Sequence, residues 1–196
     1  MKFSQWKYHA FCISAVGIDN IGGWIYLLAI NLMVFNKTGS ALAVSGLYMI
    51  KPFAHLLMGF WSGSVIDRVS TKHLMIVLDI VRASLILLIP FLDSLWSIYT
   101  IVLLIQMAGA MFGPASFTYM TLLLPEDGRK RFNAMLSFVH SGAFILGTAF
   151  AGVLFMWGST EMALFVNLGT FLLSAGLTLF LPNQIRLGSH ESSSLS

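Results

Sequence analysis

Charge is scarce in this 196-residue chain: Asp, Glu, Lys and Arg together make up only 10% of it, against about 25% in an ordinary soluble domain. One cysteine, Cys12, is present, which excludes an internal disulfide framework and any cysteine-based metal centre. The motifs of an intramembrane or soluble hydrolase are missing too. There is no H-E-x-x-H, no G-x-S-x-G and no pair of carboxylates spaced for acid–base work on one apolar stretch. His140 and Ser141 are adjacent and therefore point to different faces of a helix, so they form no local dyad. No Gly-Tyr-Gly filter loop or Asn-Pro-Ala pair suggests a channel. The formal charge of +3 is too small and too scattered for a nucleic-acid footprint.

What is abundant is apolar surface. Hydrophobic residues make up 57% of the chain, and the mean hydropathy is +0.83. A soluble domain of this size has no core large enough to hide so much, so lipid is the natural solvent. Dividing the chain at its polar and Gly/Pro clusters predicts six spans near 9–35, 41–66, 73–92, 95–122, 133–156 and 161–181. The fold class is therefore all-α, a six-helix polytopic membrane protein. The first stretch is too long for a signal h-region and carries no cleavage-like site, so it reads as a retained span. Gly188–Ser196 reads as a polar cytoplasmic tail, the bundle occupying 1–187.

Charge asymmetry predicts the orientation. With the N-terminus inside, Lys2, Lys7, Arg68, Lys72, Arg129, Lys130, Arg131 and Arg186 all fall inside, and only Lys37 falls in an outside loop, alongside Asp93 and Glu161. Both termini are then cytoplasmic. Trp6 and Tyr8 at inner ends, with Trp96, Tyr99 and Trp157 at outer ends, fit interfacial anchors.

Ionisable groups within spans are costly and mark functional candidates. Asp19 lies ~18 Å along its helix from Lys7, and Lys51 lies ~22 Å from the same membrane face at Ile66. If the sequential spans 1 and 2 are neighbours, the two residues share a depth. They fit an acid that binds a proton or cationic substrate, with Lys51 as modulator, or a static buried ion pair, or a lysine that snorkels to the interface. Pro52 loosens the helix beside Lys51. Asp79 and Arg82, three apart on one face of span 3, fit either a local ion pair or a member of a cytoplasmic gating network. His55 and His140 fit hydrogen-bonded packing residues or, less readily, groups that transfer a proton. Asn20, Asn31, Gln106 and Asn167 either line a cavity or bond across helices. Gly22, Gly23, Gly142, Gly147 and Gly152 suit close packing, and Gly113-Pro114 marks a kink. The 11 Met and 16 Phe suit a greasy pocket and a lipid face equally.

The segment between spans 2 and 3 reads Gly63-Ser64-Val65-Ile66-Asp67-Arg68-Val69-Ser70-Thr71-Lys72. It resembles the cytoplasmic loop signature of the major facilitator superfamily, G-x-x-x-D-R-x-G-R-[RK]. Gly63, Asp67, Arg68 and Lys72 match, while Ser70 and Thr71 replace the usual Gly and Arg. Gly63 is expected to allow close packing of span 2 on a neighbour, and Asp67 to end a helix at the membrane surface. By this resemblance the cluster latches the cytoplasmic side closed. Arg131-Phe132-Asn133-Ala134 is similar to the opening of span 5 in drug-efflux members. Gly147-Thr148-Ala149-Phe150-Ala151-Gly152 is similar to the antiporter motif G-P-x-x-G-G, with Thr148 in place of its Pro and Ala151 in place of a Gly. Asp79 and Arg82 resemble the branch of macrolide and enterobactin exporters.

The resemblance implies a secondary active transporter in the plasma membrane of a bacterium, exporting small organic compounds by proton exchange without a cofactor. It also implies two six-helix halves, each a 3+3 inverted repeat, with substrate between them. This chain is expected to be the N-terminal half. It would then pair with itself or with a second six-helix half, or be a truncated, non-transporting membrane subunit.

Overall fold

The computed structural model describes residues 2–123 and 126–182, with side chains left aside at 2–9, 123, 126–131 and 157. The expected tail at 188–196 and the cation Arg186 therefore lie outside the described residues. So do the side chains of Lys2, Trp6, Lys7, Tyr8, Arg129, Lys130, Arg131 and Trp157. Six long helices run in order: α1 Lys2–Thr38, α2 Ala41–Arg68, α3 Thr71–Leu88, α4 Leu95–Leu123, α5 Glu126–Trp157 and α6 Thr160–Leu179. Each contains a stretch long and apolar enough to cross a membrane.

Local chemistry sets the helix ends. Ser40, Ser70 and Ser159 cap α2, α3 and α6, their hydroxyls accepting from the backbone N–H of Ala43, His73 and Met162, donors that a helix start otherwise leaves unpaired. Gly39 takes φ +63°, a left-handed turn between α1 and α2 that suits glycine. Span 3 was expected to run to residue 92, but the α-helix stops at Leu88 and continues as a 3₁₀ turn, Ile89–Phe91. Pro90 lacks the N–H that another α-turn needs. α1 and α5 start earlier than the apolar stretches expected at 9 and 133, because polar residues continue a helix well beyond its apolar part. α6 ends before Leu181, whose following Pro182 disfavours helical backbone. α2 and α4 run on through Pro52 and Pro114.

α1 packs against α5 and α6, α4 packs against α2 and α3, and α3 packs against α6. Exchanging helices 1–3 with 4–6 maps this set of contacts onto itself, as a 3+3 repeat requires. α1 touches α2 far less, although the two are consecutive.

Two apolar clusters fill the bundle. One holds Ile25, Ile30, Ile86, Ile98, Val102 and Leu164. The other holds Cys12, Val16, Met75, Leu78, Phe112 and Tyr119. Along α1, α3 and α6 the boundary between them falls at Asp19, at Asp79 and Arg82, and at Ser174. A polar layer thus lies between two apolar ones. The outward faces of α2 and α5 carry exposed Met49, Leu56, Phe60, Trp61, Phe138 and Ile145, surface that lipid or another apolar chain solvates.

Gly147 is where α5 meets α1: an added Cβ would lie 2.7 Å from Trp24 Cβ and 2.8 Å from the Ile21 carbonyl oxygen. Backbone cannot yield as a side chain can, so Gly147→Ala is expected to destabilise the bundle by about 1–3 kcal/mol. Gly152 has open space where its Cβ would point, so Gly152→Ala is expected to be neutral or stabilising by up to about 1 kcal/mol. Thermal unfolding of the full chain in mild detergent reads both.

Candidate functional site

The polar layer opens on a cavity of about 370 Å³, within the range of small-molecule sites. α1 contributes Asp19, Asn20, Trp24 and Tyr26, α2 contributes Lys51, α3 contributes Arg82, α4 contributes Gln106 and α5 contributes His140.

Arg82 organises this layer. Its Nη1 lies 2.7 Å from Asp19 Oδ1, and its Nη2 donates to Asp79 Oδ1 on its own helix. Rings cover the guanidinium from two helices, Phe112 of α4 at 4.6 Å and Phe171 of α6 at 4.2 Å from ring centroid to Cζ. Such stacking holds a planar cation in place while its edges remain free to donate. Asp79 is 0% exposed, Arg82 5% and Asp19 9%. Of the two carboxyls, only Asp19 lines the cavity. Asp79 Oδ2 and the Ser174 hydroxyl are both fully buried and neither has a hydrogen bond of good geometry.

Beside this cluster, Asn20 Oδ1 lies within hydrogen-bond distance of His140 Nδ1, at 2.8 Å. The Asn20 amide donates to the Val16 carbonyl at 2.7 Å. Asn20 and Gln106 are therefore cavity residues. Asn31 instead donates to Tyr48 across α1 and α2, at 2.8 Å, and Asn167 bonds Thr170 within α6. Gly22 is a close-packing glycine, since a Cβ there would fall on Thr170 Oγ1.

The structure bears on three sequence expectations. Lys51 is not the partner of Asp19. It is exposed and lines the same cavity, because α2 leans on α4 while α3 brings Arg82 to Asp19. Asp79 and Arg82 form the local ion pair that their spacing allowed, and Arg82, eleven residues into α3 and ~16 Å from its start, also pairs with Asp19. Gly63 meets nothing within 4 Å of its missing Cβ, so it serves no close packing inside this bundle. His55 is exposed on α2.

The rest of the loop motif sits at the α2–α3 turn. Asp67 and Arg68 close α2. Lys72 Nζ donates to the Leu181 carbonyl at 2.6 Å, tying the start of α3 to the chain just beyond α6. Ser70, a departure from the motif's usual glycine, has a purpose of its own as the α3 cap, and its Oγ lies 2.5 Å from His73 Nδ1. In the antiporter-like segment, Thr148 Oγ1 donates to the Phe144 carbonyl at 2.8 Å, a back-bond within the helix, while Gly147 seats α5 on Trp24.

Sequence reasoning missed the rings of Phe112 and Phe171, the buried Ser174 and the Asn20–His140 bond. Phe112, Phe171 and Ser174 are ordinary residues of an apolar helix, and only the packing of α1, α3, α4, α5 and α6 brings these groups together.

Comparison with known proteins agrees with this architecture. The family model for the Major Facilitator Superfamily matches residues 12–193. The uncharacterized MFS-type transporter YfiS of Bacillus subtilis is 28% identical over 166 residues, covering 84% of this chain and 40% of that protein. The uncharacterized MFS-type transporter YttB of the same species is 32% identical over 138 residues, covering 68% of this chain and 34% of YttB. Macrolide efflux protein A of Streptococcus pyogenes is 25% identical over 160 residues, covering 79% of this chain and 40% of that protein. The chain thus spans at most about two-fifths of the length of these relatives. Six apolar helices whose contacts repeat in two groups of three, and a family match over nearly the whole chain, carry one conclusion: this multi-pass membrane protein belongs to the major facilitator superfamily.

Proposed function

We propose that the chain is one six-helix half of a secondary active transporter that exports small organic compounds in exchange for protons. The observation that carries this reading is Asp19, a nearly buried carboxyl in mid-span that lines a ligand-sized cavity while paired with Arg82. A charge in that position is stable only while compensated. As the bundle rocks against a second one, the hydration of the cavity changes, and Asp19 gains or loses its proton with it. The exposed apolar faces of α2 and α5 provide the surface for the second bundle, which is either another six-helix chain or a second copy. The membrane is the bacterial plasma membrane, with both termini and the α2–α3 turn on the cytoplasmic side.

Export is the part drawn from relatives such as macrolide efflux protein A. Lys51 and Gln106 face the same cavity and stand where they would contact a transported compound. The test is accumulation of erythromycin and ethidium in cells expressing the chain with its assembly partner. Lower steady-state accumulation that a protonophore abolishes is the expected result. Accumulation unchanged by expression contradicts the reading and favours a non-transporting subunit.

A further inference from the structure

We propose that the cavity selects compounds that carry a carboxylate on a ring system, the carboxylate seated between the Lys51 ammonium and the Gln106 amide. This rests on the transport reading and deepens it by naming the chemical class of the cargo.

The two polar groups share a depth. α3 is the only long helix between α2 and α4 in the chain, so α2 and α4 run the same way across the bundle, and they pack against each other. Tyr99 of α4 fixes their register. Its hydroxyl donates to the Ala43 carbonyl of α2 and closes on Gly46, where an added Cβ would lie 2.8 Å away. Lys51 stands eight residues beyond Ala43, and Gln106 stands seven beyond Tyr99. These are steps of ~12 Å and ~10 Å along parallel helices, and both end on the wall of the same cavity.

The donors left open decide the charge of the ligand. Lys51 is exposed and has no ion pair or hydrogen bond among the described residues, and neither Asp19 nor Asp79 lies within ion-pair distance of it. The half-buried Gln106 amide has no hydrogen bond among them either. The other charged groups of the layer are engaged, Asp19 with Arg82 and Arg82 with Asp79 as well, and His140 meets Asn20. What stays open is an ammonium with an amide at its level, and a carboxylate accepts from both through its two oxygens. Trp24, Leu27 and Ile105 supply apolar wall for the remainder of the ligand. Trp24 is itself held edge-on by Phe144, at 4.7 Å between ring centroids, which suits it to receive a ring. Closure adds a reason for selection. A bare Lys51 in a closed cavity is an uncompensated buried charge, and a bound carboxylate removes that cost. The loaded bundle therefore closes more readily than the empty one. A compound without an acid leaves Lys51 bare and is carried less well.

Equilibrium binding to the full chain with its assembly partner in lipid discs tests this without requiring transport. The probes are naphthoate, its methyl ester and naphthylmethylammonium, with empty discs as the blank. The wild type is expected to bind naphthoate at least about tenfold more tightly than either of the others, the scale of a hydrogen bond to a charged group. Lys51→Gln is expected to lose that preference, Lys51→Arg to keep it, and Lys51→Glu to reverse it in favour of the ammonium. Gln106→Leu is expected to weaken naphthoate about threefold or more, one neutral hydrogen bond, and to leave the ammonium unchanged. Equal binding of naphthoate and its ester by the wild type overturns the proposal, as does a preference that survives Lys51→Gln. A wild type without the preference, joined to loss of the assembly partner in Lys51→Gln, would assign Lys51 to an acidic group of the second bundle and overturns it too. Protonophore-sensitive ethidium export by a protein indifferent to naphthoate would remove the cargo class and leave transport standing. Naphthoate selection through Lys51 without any export would leave the binding site standing and remove transport.

Discussion

Arg82→Met is expected to destabilise the bundle by about 3–5 kcal/mol, the cost of removing one partner from a buried ionic group. Two carboxylates, one fully buried and one nearly so, would face each other without a cation, and the rings of Phe112 and Phe171 would lose their stacked guanidinium. Arg82→Lys is expected to recover only part of this. A compact ammonium cannot donate along two edges to Asp19 and Asp79 while lying flat between two rings. The diagnostic variant is the triple change Asp19→Asn, Asp79→Asn, Arg82→Met. It removes all three charges together and is expected to be more stable than Arg82→Met alone, because residues in one network couple strongly. Thermal unfolding in mild detergent gives the order. If Arg82→Met melts within about 1 kcal/mol of wild type, a small loss on the scale of single mutations, the central clamp is not a structural element.

Asp19→Asn is expected to have the opposite profile: on the proposed function, export falls to background while the bundle persists. The reason is the same charge count. Without Asp19, Arg82 and Asp79 remain as a neutral pair, so no bare charge is left in the layer and packing is unaffected. What disappears is the only carboxyl of the pair that lines the cavity. Erythromycin and ethidium accumulation in cells, measured beside membrane content and melting temperature, separates the two profiles. Asp19→Glu is expected to retain part of the activity, since a carboxyl remains although one methylene displaced. Export by Asp19→Asn at the wild-type rate would remove Asp19 from the mechanism.

The two profiles depend on unequal parts of what could be read from the sequence. The six spans were legible because lipid demands long apolar runs separated by polar turns. That Asp19 lies well inside an apolar helix was legible as well. The identity of its partner was not. Chain adjacency favoured Lys51, but α1 and α2 barely touch, and Arg82 arrives from α3. Asp79 and Arg82 were visible as an i, i+3 pair, and nothing in that spacing shows that the same guanidinium also serves another helix. The rings that hold it, at 112 and 171, are two of 16 phenylalanines and carry no individual signal. Gly63 and Gly147 illustrate the same limit. Both were read from motif-like segments, yet one faces open space while the other lies against the backbone of α1.

Proton movement in reconstituted vesicles tests the central claim most directly. The chain, purified with whatever assembles with it, is incorporated into vesicles holding a pH-sensitive dye under an imposed proton gradient, and erythromycin or ethidium is added. Coupled exchange through Asp19 predicts substrate-dependent collapse of the gradient by the wild type and none by Asp19→Asn. Equal collapse by both proteins, or none by the wild type with a compound that it demonstrably exports from cells, would contradict proton coupling at this site.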